Sequence, residues 1–258
     1  MPRRRGEAPL RRFRLRTPFV EADPRLTEAD EAHALRVLRL SAGDRLLGLT
    51  GKGEEWPLVV RAADRRTLEL EVDGACRSEP EPGAAGSRLP AVTVLAPAPR
   101  AGEAETMADQ LAQVGVARWT LLRTERSQDA RGAGPRPDRL IRAAQEASKQ
   151  CGRLWDLEVD GPLGLEDALA GRPQGSGSDF VLNASAPALA LDAGAPAPAR
   201  VWVGPEGGWS EEEHARLIQA GARPVGLSPL ILRTSTAAVL GGAALVQALA
   251  ATPDEPAG

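Results

Sequence analysis

Cysteine, histidine and lysine are nearly missing from this chain, and so are long apolar runs. Two cysteines, Cys76 and Cys151, cannot build a disulfide framework, and two histidines, His33 and His214, with no Cys or His neighbours in sequence, exclude a zinc site of the usual spacing. No metal is expected, and a reducing cytoplasm suits such a composition. Lysine occurs only at Lys52 and Lys149, so the positive charge is almost wholly arginine. The most apolar stretch, Thr236 to Ala251, is shorter than the roughly 20 residues a membrane span needs and contains Gln247. It reads as a buried core helix. The arginines near the start have no apolar segment behind them, which excludes an ordinary secretory signal.

What is there suits one large domain or two small ones: 258 residues, of which 42% are hydrophobic. A net charge of -3 argues against a surface coated in positive potential. Its distribution is uneven, because residues 1–16 hold seven arginines against the single Glu7. Such a patch can meet phosphates. The same arginine bias, together with abundant Ala and Gly, could equally reflect genomic base composition, so the patch alone assigns no partner.

The first segment, residues 1–77, reads as a small β-rich module. Three apolar runs, Leu46 to Leu49, Leu58 to Val60 and Leu68 to Val72, surround a "TGKGEE" hairpin turn. Ahead of them "TEADEAHALRVLRL" predicts a helix capped by Thr27 with Asp30 three residues on and apolar positions at Leu35, Val37 and Leu38. One helix with several strands suggests a small barrel. Residues 78–90, "SEPEPGAAGSRLP", have the composition of a linker.

From residue 91 strands and helices alternate. "AVTVLA" leads to a helix with Met107, Leu111 and Val114 on one face, then to "RWTLL" and a helix with Leu140, Ala144, Ala147 and Cys151 on one stripe. "DFVLNA" and "ARVWVG" follow, then a helix opened by a Ser210 and Glu213 capping box, "PVGL", and the apolar helix. The pattern predicts an α/β fold whose parallel sheet is covered on both faces, with ligands at the carboxyl ends of its strands. No internal repeat is visible.

Gly204, Gly207 and Gly208 stand at one such end, in "VGPEGG". Glycine there permits positive φ and close backbone approach to a ligand. The spacing matches neither G-x-G-x-x-G nor G-x-x-x-x-G-K-[ST], and no lysine is at hand, so a nucleoside triphosphate is not expected. A second stretch, Gly226 to Ala243, carries Arg233 between "LIL" and an almost wholly apolar helix, followed by Thr234, Ser235 and Thr236. A charge in that setting is costly unless paired or used. Arg233 is therefore either a binding or catalytic arginine or the partner of a carboxylate such as Glu206.

"VGPEGGWSEEE" followed by "GLSPLILRTSTAA" resembles the two signature segments of the RsmE family of ribosomal RNA methyltransferases in the SPOUT superfamily. "HALRVLRLSAGD" (33–44), "QVGV" (113–116), "ERS" (125–127) and "EASKQCGR" (146–153) fall in that family's order. The resemblance implies a PUA-like, RNA-binding β-barrel over 1–77 and a SPOUT domain over 91–258, tied in a trefoil knot within about 180–258. It implies a homodimer and S-adenosylmethionine as cofactor, bound by Leu182, Asn183, Gly204, Pro205, Gly207, Gly208, Leu227, Ile231, Leu232 and Thr236. The implied reaction is methylation of N3 of one uridine in small-subunit (16S) ribosomal RNA. Arg233 and Glu206 would be catalytic. Arg11, Arg12, Arg14, Arg36, Arg39, Arg126, Lys149 and Arg153 would meet RNA, although Lys149 could instead pair with Glu146 along its helix. Two departures stand out: Ser235 replaces the glutamate of the usual Arg-Thr-Glu-Thr-Ala, and Gln113 replaces that of Glu-Leu-Gly-Val. Two other readings stay open: a SPOUT methyltransferase acting on another RNA site or a nucleobase-like metabolite, and a non-catalytic RNA-binding protein of the same fold.

Overall fold

The computed structural model describes residues 10–127, 136–171, 177–187 and 198–250. The chain divides into two compact units, one running to Glu79 and including Lys149–Trp155, the other comprising Pro80–Ser148 and the chain from Asp156 onward. Residues 149–155, which the sequence pattern assigns to the second segment, thus group with the first.

The first unit contains β1 (Arg12–Arg14), α1 (Glu28–Arg36), β2 (Arg45–Leu49), β3 (Glu54–Ala63), β4 (Leu68–Val72) and β5 (Arg77–Ser78). They form one five-stranded sheet in the order β1-β2-β3-β4, with β5 paired to β3. Only the β1 to β2 pairing is parallel. The β2 to β3 hairpin turns through Gly51 and Gly53, both at positive φ (72° and 89°). At Gly53 a Cβ would also lie 2.5 Å from the Trp155 indole nitrogen, so no other residue fits. Phe13, Leu15, Leu26, Leu46, Leu58, Val60 and Leu68 make the core.

The expected cap of α1 is not formed, since Thr27 makes no side-chain capping bond. Asp30 is engaged elsewhere. Its buried carboxylate accepts the Arg14 backbone N–H at 2.5 Å and the Lys149 ammonium at 2.8 Å. A buried acid is held by its strongest donors, and here a cation outcompetes a cap.

The second unit follows the alternation expected, with a strand over 158–164 and a short helix over 165–170 added that the sequence reading does not include. Its elements are β6 (Val92–Ala96), α2 (Ala101–Gln113), β7 (Arg118–Arg123), α3 (Pro137–Cys151), β8 (Glu158–Gly164), α4 (Leu165–Ala170), β9 (Ser178–Leu182), β10 (Ala199–Trp202), α5 (Glu211–Gln219), β11 (Arg223–Val225) and α6 (Thr234–Ala250). All strands are parallel, in the order β11-β9-β10-β6-β7-β8. The chain starts in the middle at β6, runs outward to β8, and returns to build β9, β10 and β11 on the other side. Alternate residues face opposite layers. Val92, Val94, Phe180 and Val201 pack with Met107 and Leu111 of α2, Leu140 and Ala144 of α3, and Leu245 of α6. Leu95, Leu122, Val181 and Trp202 pack with Ala168 of α4 and Leu217 of α5. The stripe on α3 ends before Cys151, which is exposed.

Two features fix the middle of the sheet. On α6, a Cβ at Gly242 would lie 2.6 Å from Val116 and 3.1 Å from Val94, so the glycine allows the helix to settle directly on β6. On the opposite face Arg200 and Asp179, partners in the β9 to β10 register, form a buried bidentate pair at 2.6 and 3.0 Å. Trp202 Nε1 donates to Asp179 as well, at 3.0 Å, and Arg200 donates to the Ala168 carbonyl at 3.1 Å. No helix among the described residues is long and apolar enough to cross a membrane.

Candidate functional site

Three loops leave the adjacent carboxyl ends of β10, β9 and β11, and a pocket opens between them. Of the residues expected there, Leu182, Asn183, Gly204, Pro205, Glu206, Gly208, Leu227, Ile231 and Leu232 line it. Val203, Trp209, Ser228, Leu230, Thr234 and Ala237 line it too. Gly207, Thr236 and Arg233 lie outside the wall. The sequence signal for Trp209 and Thr234 was their adjacency to the glycines and to Arg233. Ser228 and Leu230 belong to the stretch Leu227 to Leu232 that the family resemblance implies for the pocket.

Each loop is held by its own chemistry. After β9, the Asn183 side-chain oxygen accepts the Ser185 N–H at 2.9 Å, a local turn that Asn favours. After β11, the Gly226 N–H donates to the Pro187 carbonyl at 2.7 Å, joining this loop to the one after β9. A Cβ at Gly226 would stand 2.6 Å from the Ala186 carbonyl oxygen. After β10, Gly208 takes positive φ (69°) and donates to the Pro205 carbonyl at 2.8 Å.

The other two glycines of "GPEGG" answer to neighbouring side chains. A Cβ on Gly204 would lie 3.2 Å from the Trp209 indole nitrogen, and one on Gly207 would lie 3.2 Å from the Arg126 Cβ. Gly207 thus adjoins Arg126 and not the pocket.

Arg126 itself differs from its expected role. Its guanidinium donates to the carbonyls of Gly207 and Trp209, at 3.2 and 3.3 Å, clamping the glycine loop from the turn after β7. Glu213 completes the clamp. The Ser210 and Glu213 capping box forms as the sequence predicts, and the same glutamate also accepts the Glu125 backbone N–H at 2.8 Å. Loop and turn are therefore cross-linked at both ends.

At the start of α6, Thr234 Oγ1 donates to the Gly204 carbonyl at 3.0 Å, and Ser235 Oγ donates to a carboxylate oxygen of Glu103 on α2. Arg233 stands directly before the helix, its carbonyl accepting the Ala237 N–H at 2.8 Å. Its side chain is exposed, and it forms no ion pair with Glu206 or with any other described residue. Gln113 is exposed and bonds Asp109 one turn back, at 2.6 Å.

The expected RNA-facing residues of the first unit separate into two groups. Arg11, Arg36 and Arg39 are exposed. Arg14 and Arg153 are buried, and the Arg153 guanidinium donates to the Trp155 carbonyl. Arg12 pairs with Glu55 at 2.7 Å, and Lys149 pairs with Asp30 and not along its helix, both side chains nearly closed to solvent. The Arg12, Lys149 and Arg153 side chains thus bind inside the unit, because a charge removed from water has to find an internal partner.

The pocket wall is mostly apolar, its polar side chains being Asn183, Glu206, Ser228 and Thr234 beside the Trp209 indole, it carries no lysine or arginine, and the buried Trp209 Nε1–H has no hydrogen-bond partner among the described residues. That donor set suits a nucleoside-like ligand with an amino-acid tail better than a polyphosphate. Among the described residues no cluster of three or more His, Cys, Asp or Glu side chains could hold a metal ion.

Comparison with known proteins agrees with this architecture. The chain is 29% identical over 226 residues to a ribosomal RNA small subunit methyltransferase E of Synechocystis sp., covering 85% of this chain and 71% of the relative. The fold matches a protein described as a probable rRNA-methyltransferase from Porphyromonas gingivalis, with a TM-score of 0.80 and 25% identity over 95% of this chain and all (100%) of that one. It also matches a ribosomal RNA small subunit methyltransferase E from Neisseria gonorrhoeae bound to S-adenosyl methionine, with a TM-score of 0.73 and 23% identity over 93% of this chain and 98% of that one. The family model for the RNA methyltransferase domain matches residues 87–246, from the approach to β6 to near the end of α6, and on that match the chain belongs to the RNA methyltransferase family.

Proposed function

We propose that this protein methylates N3 of a uridine in small-subunit (16S) ribosomal RNA, with S-adenosylmethionine held among the loops after β9, β10 and β11. The observation that carries this reading is the mostly apolar pocket, free of lysine and arginine, with Arg233, which makes no ion pair among the described residues, directly between two of its lining residues in sequence. When bound, S-adenosylmethionine supplies the methyl group as an electrophile. The protein's own residues have two tasks. One is to fix the uracil ring; the other is to stabilise the negative charge that develops when the weakly acidic N3 proton leaves. Arg233 suits the second, since its guanidinium stays protonated and offers a rigid fork of donors. Glu206, exposed on the pocket wall, is the candidate acceptor for the proton.

In the same reading the first unit is a PUA-like barrel presenting Arg11, Arg36 and Arg39 to RNA. The chain after β9 forms the trefoil knot, and two copies pair as a homodimer in the cytoplasm. The exposed Leu230 and Ile231 on the pocket rim (72% and 91% exposed) supply apolar surface for that pairing.

The direct test incubates the purified protein with isotopically labelled S-adenosylmethionine and small ribosomal subunits lacking N3-methyluridine, then identifies the labelled nucleoside by mass spectrometry. Labelled 3-methyluridine is expected. Label in a different nucleoside would move the activity to another acceptor, and RNA binding without cofactor binding would favour a non-catalytic role. A second test probes the pocket alone. Gly226→Val would drive a methyl-bearing carbon into the Ala186 carbonyl and push the loops after β9 and β11 away from each other. Overpacking of this kind costs about 1–3 kcal/mol, so calorimetry should find cofactor affinity reduced by roughly 5- to 150-fold. Wild-type affinity in that variant would detach these loops from the cofactor site.

A further inference from the structure

We propose that Glu103 is a positioning residue of the methyl-transfer site, holding Arg233 in place from a different helix through Ser235. The proposal rests on the methyl-transfer reading and names a residue that no sequence pattern marked.

Glu103 lies in the first turn of α2 and is half-buried, and its carboxylate accepts the hydroxyl of Ser235 in the first turn of α6. Ser235 is itself buried, at 9% exposure, so this bond is shielded from competing water. On either side of it the chain is engaged with the site. Thr234 bonds the Gly204 carbonyl of the glycine loop, and Arg233 is two residues away. The Glu103 carboxylate therefore sits within one helical turn of the arginine.

The start of α6 is otherwise poorly furnished. It has no acidic residue in its first turn, and Arg233, in the position before the helix, has no side-chain oxygen to cap the free N–H groups. A cation there is also unfavourable against the positive end of the helix dipole. Glu103 supplies the negative charge that this terminus lacks. Its negative charge complements the helix terminus, and its bond to Ser235 fixes the rotation of the first turn, which begins directly after Arg233. The signature that this stretch resembles carries a glutamate at the position of Ser235; in this chain the carboxylate arrives from α2 instead.

The test moves the carboxylate. Glu103→Gln and Ser235→Ala are each expected to lower kcat about tenfold, the worth of one charge-assisted hydrogen bond, with the KM for cofactor unchanged and no further loss in the double variant. Ser235→Glu alone should be slower still, because two carboxylates would face each other. Adding Glu103→Gln to Ser235→Glu should return the rate to within about threefold of wild type, since the acid has only changed helix. Thermal melting of every variant controls for folding. An independent readout is the side-chain Nε–H resonance of Arg233, assigned by its loss in Arg233→Lys, which should move in Glu103→Gln. Should the wild type methylate no RNA, the methyl-transfer reading fails and the resonance alone decides the pair. An unmoved resonance, wild-type kcat in Glu103→Gln, or a Ser235→Glu defect that Glu103→Gln does not relieve would each overturn the proposal.

Discussion

Arg233→Ala is expected to reduce methyl transfer by about 10²- to 10³-fold, the range found when a single preorganised donor to a developing negative charge is removed. Cofactor affinity and melting temperature should stay near wild type. The reason is local: Arg233 is exposed, makes no ion pair among the described residues, and lies outside the pocket wall, so neither core nor pocket loses a contact. Its neighbours Leu232 and Thr234 do line the pocket, so the chain at Arg233 runs along the pocket edge without its side chain forming the wall. Arg233→Lys preserves the charge but loses the planar fork, and should recover only a fraction of the rate. Steady-state rates on ribosomal RNA and calorimetric cofactor binding, measured on the same preparations, separate these effects. Turnover unchanged in the alanine variant would remove Arg233 from the chemistry.

The largest effect on stability is expected from Arg200→Met. It strips Asp179, at 5% exposure, of its bidentate partner in the layer between the sheet and α4. Removing the cation from a buried ion pair costs about 3–5 kcal/mol, a loss of roughly 6–20 °C in melting temperature for a protein of this size. Removing both charges together, as in Arg200→Met with Asp179→Leu, should recover much of that loss, because the uncompensated carboxylate goes too. Recovery should stay incomplete, since the Trp202 indole N–H and the Ala168 carbonyl lose their partners as well. Differential scanning calorimetry of the single and double variants reads this directly. A single variant that melts with the wild type would mean that water reaches Asp179.

The parallel sheet was legible because its strands are short, apolar and separated by amphipathic stripes such as Met107 and Leu111. The Ser210 and Glu213 box was legible because both partners lie within one turn. What failed to show had a partner far along the chain. Asp30 looks like a cap residue until Lys149 returns beside it, and Arg126 looks like a free surface cation until Gly207 and Trp209 present their carbonyls. The glycines illustrate the same limit. Their number announced crowding, but sequence alone could not tell a ligand from the Trp209 indole or the Arg126 side chain. Glu103 was silent for the opposite reason: an acid in the first turn of a helix is so ordinary that it carries no signal until its contact with Ser235 is seen.

The order of strands in the second unit bears on how the enzyme is made. β6, begun at Val92, stays an open edge on one side until β10, begun at Ala199, arrives beside it, and the face it shares with α2 is completed only when α6 packs down. Contacts so distant in sequence close slowly, because a long loop must be ordered before any pairing offsets that loss. During synthesis, β6, β7 and β8 therefore leave the ribosome with apolar surface that nothing yet hides. The pocket, built from the last three strands and the start of the last helix, is the final region of the sheet to exist. Competence to bind a ligand there reports that folding is complete, and a chain stalled before α6 would be aggregation-prone and inactive at once.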